Sequence, residues 1–312
     1  MKTKKILKFE DSECKQVILA GGKGASLAHM TQSGIPVPNG FVVSSRVYDE
    51  VVDDKTVKSL LKAIDINNIE AVNRLSQKLQ DYIKSLITPE LIEKEILAVF
   101  DEQNLSLVAV RSSATSEDTK DASWAGELKT LLNSSKNDVL ERVKECWASL
   151  FSPRALLYRF EKGFSNQKIS VAVVVQQMVQ SEISGVSFTI HPVTNRKSHI
   201  LIEAVYGLGE AIVSGQVTPD QYLFDKDYDV VLRAEAKKQV KQLNLPKDLH
   251  GIVWEKTSED LQNKQKLTYS QILDLATICK KVEAYYGIPQ DIEWSFWSNS
   301  FYILQSRPIT TI

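Results

Sequence analysis

Cysteine is scarce in this 312-residue sequence, and its placement excludes two kinds of framework. Cys14, Cys146 and Cys279 are odd in number, far apart and form no CxxC pair, so neither a zinc site nor a disulfide scaffold is indicated. A reducing cytoplasm is the expected setting. Long apolar runs are missing too. The most apolar stretch begins at Ile169, and Gln176 and Gln177 close it well short of the ~20 residues a membrane-spanning helix needs. The lysine-rich start, MKTKKILKFEDSE, reaches Glu10 and Asp11 before it gathers the apolar region of a secretory leader. No membrane partner is expected. Charge of one sign is also lacking: Lys plus Arg is 38 and Asp plus Glu is 39, a formal net charge of -1. That balance argues against nucleic acid as a partner held by bulk charge.

What is present is an ordinary globular mixture, with 43% hydrophobic and 25% charged residues, too apolar to be mainly disordered. At ~100–200 residues per domain, the length fits one large two-lobed domain or two ordinary ones. No repeat of 20–50 residues is visible. The first part reads as helix-rich. Ala25 to Gln32 is helix-like after Gly21-Gly22-Lys23-Gly24, and a helical block covers about 53–104, with Thr88-Pro89-Glu90 as a helix start. Leu107 to Val110 is a strand that delivers Arg111. The second part, from about Lys168, reads as strand-rich: Ile169 to Val179, Val186 to Ile190 and Ile200 to Val205, then a helix capped by Ser270 and ending at Gly287, then two closing strands. The division expected is 1–167 and 168–312, two lobes with a ligand cleft between them.

Several segments carry polar chemistry. In Gly21-Gly22-Lys23-Gly24 the glycines let backbone N–H groups approach a phosphate and the lysine adds a point charge, although the P-loop spacing is absent. A solvated lysine in a glycine turn is the alternative. Arg111, at the end of a buried strand and followed by Ser112-Ser113-Ala114-Thr115, offers a fork for phosphate oxygens; pairing with Glu117 or Asp118 is the alternative. The small-residue loop Ala122-Ser123-Trp124-Ala125-Gly126, running to Thr130, is suited to cover a triphosphate, or is a turn packed by Trp124. Gln176-Gln177-Met178-Val179 ends an apolar strand and supplies backbone donors and acceptors for an adenine edge, or is simply a strand end.

The C-terminal hairpin gives the most specific geometry. A three-residue turn at Ser298-Asn299-Ser300 would set Trp297 opposite Phe301, Glu293 opposite Gln305 and Asp291 opposite Arg307. Because strand side chains alternate, these last four share one face, while Trp294 and Phe296 meet Leu304 and Tyr302 on the other. Two carboxylates, an amide oxygen and an arginine on one face are suited to Mg²⁺ and the phosphates it bridges. A surface salt bridge between Asp291 and Arg307 is the alternative.

Taken together, GGKGASLAHM…GIPVPNGF, AVRSSATSED…ASWAG, CWASLFSPRALLYR, VVVQQMV…SGVSFT, IEAVYGLGEAIVSG and DIEW…FYILQSRPIT resemble the ATP-binding domain shared by phosphoenolpyruvate synthase, pyruvate phosphate dikinase and rifampin phosphotransferase. The resemblance runs from about Gly21 to Thr310. It implies an α+β ATP-grasp fold of two lobes with ATP between them. It also implies roles: Lys23 and Arg111 on phosphates, Gly126 and Thr130 in the covering loop, Gln177 with the backbone of Met178 and Val179 at adenine. Glu203 would lie on the nucleotide side of the second lobe. Glu293 and Gln305 would bind Mg²⁺ and phosphate, Arg307 phosphate, and Asp291 would assist. Lys23, Arg111 and Arg307 would be the catalytic cations.

In the family, ATP is cleaved to AMP, its β-phosphate passes to a histidine on a separate swivelling domain, and an acceptor domain receives it. None of His29, His191, His199 and His250 sits in the family's TGG-type histidine motif. Glu127 stands where the family usually has glutamine, and His191 where it tends to have Asp or Asn. The resemblance therefore implies an ATP- and Mg²⁺-binding module or subunit of a dikinase-type phosphotransferase, with a phosphohistidine domain and an acceptor-substrate domain as partners. An excised domain of a rifampin phosphotransferase-like enzyme and a non-catalytic ATP-binding regulator are the alternatives.

Overall fold

Runs of β-branched residues set the strands of two antiparallel sheets. The computed structural model describes residues 4–62, 66–115, 129–164, 167–246 and 251–310. The strands are β1 (Ile6–Lys8), β2 (Gly40–Val43), β3 (Val108–Ala114), β4 (Thr130–Ser134), β5 (Val171–Gln177), β6 (Ile183–Phe188), β7 (His199–Tyr206), β8 (Asp220–Asp225), β9 (Val230–Glu235), β10 (Lys241–Asn244), β11 (Val253–Lys256), β12 (Gln290–Trp297) and β13 (Ser300–Pro308). The helices are α1 (Val17–Gln32), α2 (Ser45–Val51), α3 (Asp54–Leu61), α4 (Ile69–Ser85), α5 (Glu90–Glu102), α6 (Val139–Ala148), α7 (Pro153–Glu161), α8 (Glu210–Val213) and α9 (Tyr269–Tyr286). None of the described helices is long and apolar enough to cross a membrane.

The chain forms two compact units: Met1–His29 with Asn39–Met178, and Met30–Pro38 with Val179–Ile312. The first holds a five-stranded sheet in the order β1-β2-β5-β3-β4. Alternation sends Val108 and Val110 of β3, Val173 and Val175 of β5 and Val43 of β2 into one core with Trp147, Phe151, Leu79 and Ile96. Val42 and Val174 face the other way, toward Gly24 of α1. Asp53 caps α3 and Asn68 caps α4 through their side chains. At α5 the expected Thr88 cap is not used: Pro89 holds the cap position and makes no side-chain bond.

The expected division at 167/168 also needs correction. β5 pairs with β2 and β3, so it belongs to the first sheet and the first unit runs on to Met178. The apolar run from Ile169 is fully buried because it is a central strand.

The second unit holds a six-stranded sheet, β13-β12-β6-β7-β8-β9, and the two-stranded pair β10-β11. The strand expected from Val186 to Ile190 begins earlier, at Ile183, and ends at Phe188. Ile200 and Ile202 of β7, Tyr222 and Phe224 of β8 and Ile292 and Trp294 of β12 are buried. The Cys279 thiol of α9 lies beside Ser187, which pairs with Ile292, so α9 covers that face. A capping box of Thr268 and Gln271 opens α9, in place of the expected Ser270, and Gly287 closes it at φ 70°.

An internal ion pair stitches the link between β9 and α9 to β8. Lys266 Nζ lies 2.7 Å from Asp220 Oδ1, with both side chains at 0% exposure. Asp220 also accepts from the backbone N–H groups of Lys237 and Lys266 and from the Tyr222 hydroxyl. Every oxygen lone pair that burial would strand is occupied, which is the condition for a buried carboxylate to be tolerated.

Candidate functional site

The first polar face is built on β3. Arg111, 8% exposed, pairs directly across the sheet with Thr130 of β4, so both side chains share one face. Ser113, two residues further along β3, projects from the same face. Its Oγ donates to the Ala20 carbonyl at 2.9 Å and accepts from the Gly24 N–H at 3.2 Å. One hydroxyl therefore ties the Gly21–Gly24 turn, with the half-buried Lys23, to the Arg111 face.

The glycine is obligatory at Gly21. Its φ is 68°, and a Cβ there would lie 2.2 Å from Ser113 Oγ. This breaks the helical run within α1, so Gly22-Lys23-Gly24 is a reopening helical turn rather than a loop before the helix.

Thr130 is anchored by its neighbour. The Lys129 carbonyl accepts from the Ser112 N–H at 3.1 Å and from Ser112 Oγ at 3.0 Å. Its ammonium pairs with Glu145 at 2.6 Å, as does Arg142 at 2.6 Å. Burial opposes the Glu145 charge, but the bonds from Lys129 and Arg142 outweigh it and hold the carboxyl below its ordinary range. Gly126, Glu127, Trp124, Glu117 and Asp118 lie outside the described residues.

Sheet alternation sets Gln177 on the opposite face of β5 from Arg111. It pairs with Val108, on the core side of the sheet, and its amide bonds Ser106 through both Oε1 and Nε2. The neighbouring Gln176 takes the Arg111 face instead. It pairs with Ala109, is 2% exposed, and accepts from Arg111 Nη1 at 3.4 Å. Met178 is held by its N–H on the Leu107 carbonyl at 2.8 Å.

The second polar face crosses five strands of the larger sheet. Gln305 pairs with Glu293, Glu293 with Val186, Val186 with Glu203, and Glu203 with Gln221. Directly paired residues share a face, so Gln305, Glu293, Glu203 and Gln221 form one row. Gln221 Nε2 donates to Glu203 at 2.8 Å. The next rung is Asp291 with Arg307, whose Nε and Nη2 both donate to Asp291 Oδ2, at 2.8 and 2.7 Å. Gly185 makes the row possible from beneath. A Cβ there would lie 1.9 Å from the Glu203 carbonyl oxygen and 2.5 Å from the Trp294 ring.

The expected pairing at this end of the hairpin is observed, but by another route. Ser298 and Asn299, at φ 48° and 58°, make a two-residue turn, so Trp297 pairs with Ser300 rather than Phe301. Trp294 then meets Ile303, and Phe296 meets Phe301, correcting the expected partners Leu304 and Tyr302. A bulge between Glu293 and Trp294 on one strand, opposite Leu304 on the other, restores the register. It changes the parity of β13, and so places Gln305 and Arg307 with the acids while Phe301 and Ile303 stay in the core.

Glu210, at the start of α8, adds a carboxylate that sequence reasoning passed over. The residue is exposed overall, yet partial burial and then the nearby Glu293 carboxylate raise its carboxyl above the ordinary range. Among the described residues no three His, Cys, Asp or Glu side chains are grouped to hold a metal alone. Asp291, Glu293 and Gln305 are a donor set that Mg²⁺ can use, since it takes one or two carboxylates and completes its shell with water and substrate phosphate.

The described histidines are engaged elsewhere. His191 Nδ1 accepts from the N–H groups of Val193 and Thr194, and His199 is buried beside Asp225 at 3.6 Å. His29 is half-buried on α1, where burial and then Lys15 lower its basicity. His250 is outside the described residues.

Residues 17–312 match the family model described as the pyruvate phosphate dikinase AMP/ATP-binding domain. The chain belongs to this family. Its relatives include a probable phosphoenolpyruvate synthase of Methanothermobacter thermautotrophicus, 42% identical over 97% of this chain and 46% of the relative. The phosphoenolpyruvate synthase of Pyrococcus furiosus is 38% identical over 97% of this chain and 43% of its own length. A rifampicin phosphotransferase of Bacillus cereus is 37% identical over 98% of this chain and 36% of its own length. The chain thus spans less than half the length of these relatives. The resemblance drawn from six motif blocks holds across nearly the whole sequence, and the mixed α/β architecture with antiparallel sheets agrees with an AMP/ATP-binding domain of this family.

Proposed function

We propose that the chain binds ATP with Mg²⁺ and is the ATP-activating part of a dikinase-type phosphotransferase. In this reading the fold is ATP-grasp. The observation that carries it is the pair of rungs Asp291–Arg307 and Glu293–Gln305, a carboxylate–cation–amide set presented on one face in a member of an AMP/ATP-binding family.

The roles are those that the family motifs assign. Lys23 and Arg111 bind phosphate oxygens, with Thr130 beside Arg111 and Gly126 assigned with it on the family motif. Gln177, with the backbone of Met178 and Val179, meets adenine. Glu293, Gln305 and Asp291 hold the cation, with Glu203 on the same row, and Arg307 moves from Asp291 toward phosphate. Mg²⁺ held there would supply positive charge to neutralise the phosphates. Lys23, Arg111 and Arg307 stabilise the charge that develops as the phosphoryl group leaves, the usual protein share of phosphoryl-transfer catalysis.

ATP would be cleaved to AMP, the β-phosphate passing to a histidine on another domain or chain and the γ-phosphate leaving as phosphate. Relatives named for different acceptors share this part at 37–42% identity, so the acceptor is chosen elsewhere in those proteins. The chain, mixed with the histidine-bearing part of such a relative and β-labelled ATP, should release AMP and leave label on histidine. ADP as the only product, with no labelled histidine, would overturn the assignment.

A further inference from the structure

Gln176 has a feature that its neighbours do not explain. Its side chain is 2% exposed on the Arg111 face of β5, and Oε1 accepts from Arg111 Nη1 at 3.4 Å. A guanidinium offers donors only, so the amide oxygen must point toward it and the amide nitrogen away. That nitrogen, Nε2, is buried and has no hydrogen-bond partner among the described residues. Exchanging oxygen and nitrogen does not help, because it sets the amide's N–H against those of Arg111.

A buried donor without an acceptor is destabilising, and filling the space does not require an amide. The cross-strand neighbours of Gln176 are Ala109 on one side and Gly40 on the other. Gly40 is kept free of a side chain by the Val175 carbonyl and the Phe9 ring, which a Cβ would approach to 2.4 and 2.8 Å. Two small residues thus flank a buried amide that is half satisfied.

We propose that Gln176 is a positioning residue for Arg111 and that its Nε2 donates to an anionic oxygen of the phosphate chain that Arg111 binds. This rests on the ATP-binding reading. The position selects the ligand atom: whatever Nε2 reaches lies within the field of the adjacent guanidinium, where an anionic oxygen makes the strongest bond. The orphaned donor is then the cost of a site prepared before its ligand arrives.

Calorimetry on the whole chain with ATP, tripolyphosphate and adenosine tests this in the native sequence, Gln176→Met and Gln176→Glu. The native chain must first bind ATP saturably; if it does not, the ATP-binding reading itself fails. Given that binding, Gln176→Met should weaken ATP and tripolyphosphate about tenfold and leave adenosine unchanged, as expected for one charge-assisted bond. Its melting temperature should stay close to the native value, because losing the unpaired donor is offset by losing the acceptor for Arg111 Nη1. Gln176→Glu keeps an acceptor for Arg111 but adds a negative charge, and should weaken the phosphate ligands further.

ATP affinity within about twofold of native in Gln176→Met is smaller than one such bond and overturns the proposal. So does loss of adenosine with tripolyphosphate retained, which would place the amide at the base. If either variant fails to fold, the native chain decides. The side-chain amide resonance of Gln176 should shift, and its protons exchange more slowly, on adding tripolyphosphate; an unmoved resonance overturns the proposal.

Discussion

The two sheets present polar groups in opposite ways. On the five-stranded sheet, Arg111 and Gln176 are buried, and Ser113 is bonded to the backbone of a turn far away in sequence. On the six-stranded sheet, Glu203, Glu293, Asp291 and Gln305 are only half-buried. The difference follows from desolvation. A guanidinium spreads its charge over a planar group and is weakly hydrated, so it is buried at lower cost, whereas carboxylates brought together repel and need water or a cation. The first face is therefore built by packing and the second by register. Each should fail in its own way.

The largest effect is expected where register is attacked. Deleting Leu304 removes the bulge, and with it the parity change that separates Phe301 and Ile303 from Gln305 and Arg307. Either the apolar pair leaves the core or Arg307 enters it. Burying an unpaired charge costs several kcal/mol, so unfolding in urea should show a loss of about 3 kcal/mol or more. Mg²⁺-dependent ATP binding should vanish with it. A deletion variant with native stability and affinity would mean that the hairpin re-pairs without the bulge and that register does not build the second face.

A smaller pair of effects separates the faces by chemistry. Arg111→Ala should weaken ATP about 100-fold with or without Mg²⁺, since it removes charge-assisted bonds to phosphate worth roughly 1.5–3 kcal/mol each. Glu293→Gln should weaken ATP only about tenfold, and only when Mg²⁺ is present, because its contact with the nucleotide runs through the cation. Calorimetry with and without EDTA distinguishes them. An equal loss under both conditions in Glu293→Gln would place that side chain on the nucleotide itself.

Legibility in the sequence divides along the same line. Alternation alone placed Asp291, Glu293, Gln305 and Arg307 on one face, because a period of two needs no tertiary knowledge once the pairing is right at one rung. The turn length and the bulge at Leu304 were not legible, and their errors cancelled: a turn one residue shorter is compensated by one extra residue in β13. Gln176 and Gln177 are chemically identical neighbours, and only the register of β5 against β3 decides which faces Arg111. The boundary at 178 rather than 167 has the same origin, since the strand beginning at Val171 reads alike in either sheet. Gly21 looked like part of a flexible loop. Its necessity comes from Ser113, which no local pattern connects to it. Glu210 was hidden because its environment is set by Glu293 on a different element.

That last contact yields the smallest and most easily misread effect. Glu210 has a raised folded-state pKa, caused by partial burial and then by Glu293. An acid with a raised folded pKa binds more protons folded than unfolded, so stability falls as pH rises from the unfolded value through the folded one. Above that window the charge is a standing cost. Glu210→Gln should therefore raise the melting temperature at pH 7 by about 1 °C, a small shift because an exposed carboxylate is largely screened. The gain should disappear below the unfolded carboxylate range, where both side chains are neutral. Adding Mg²⁺ with ATP should also shrink it, since a cation at Glu293 relieves the same repulsion. A gain at pH 7 that survives Mg²⁺-ATP would assign the strain at Glu210 to burial alone, and would remove it from the acidic face to which its neighbour assigns it.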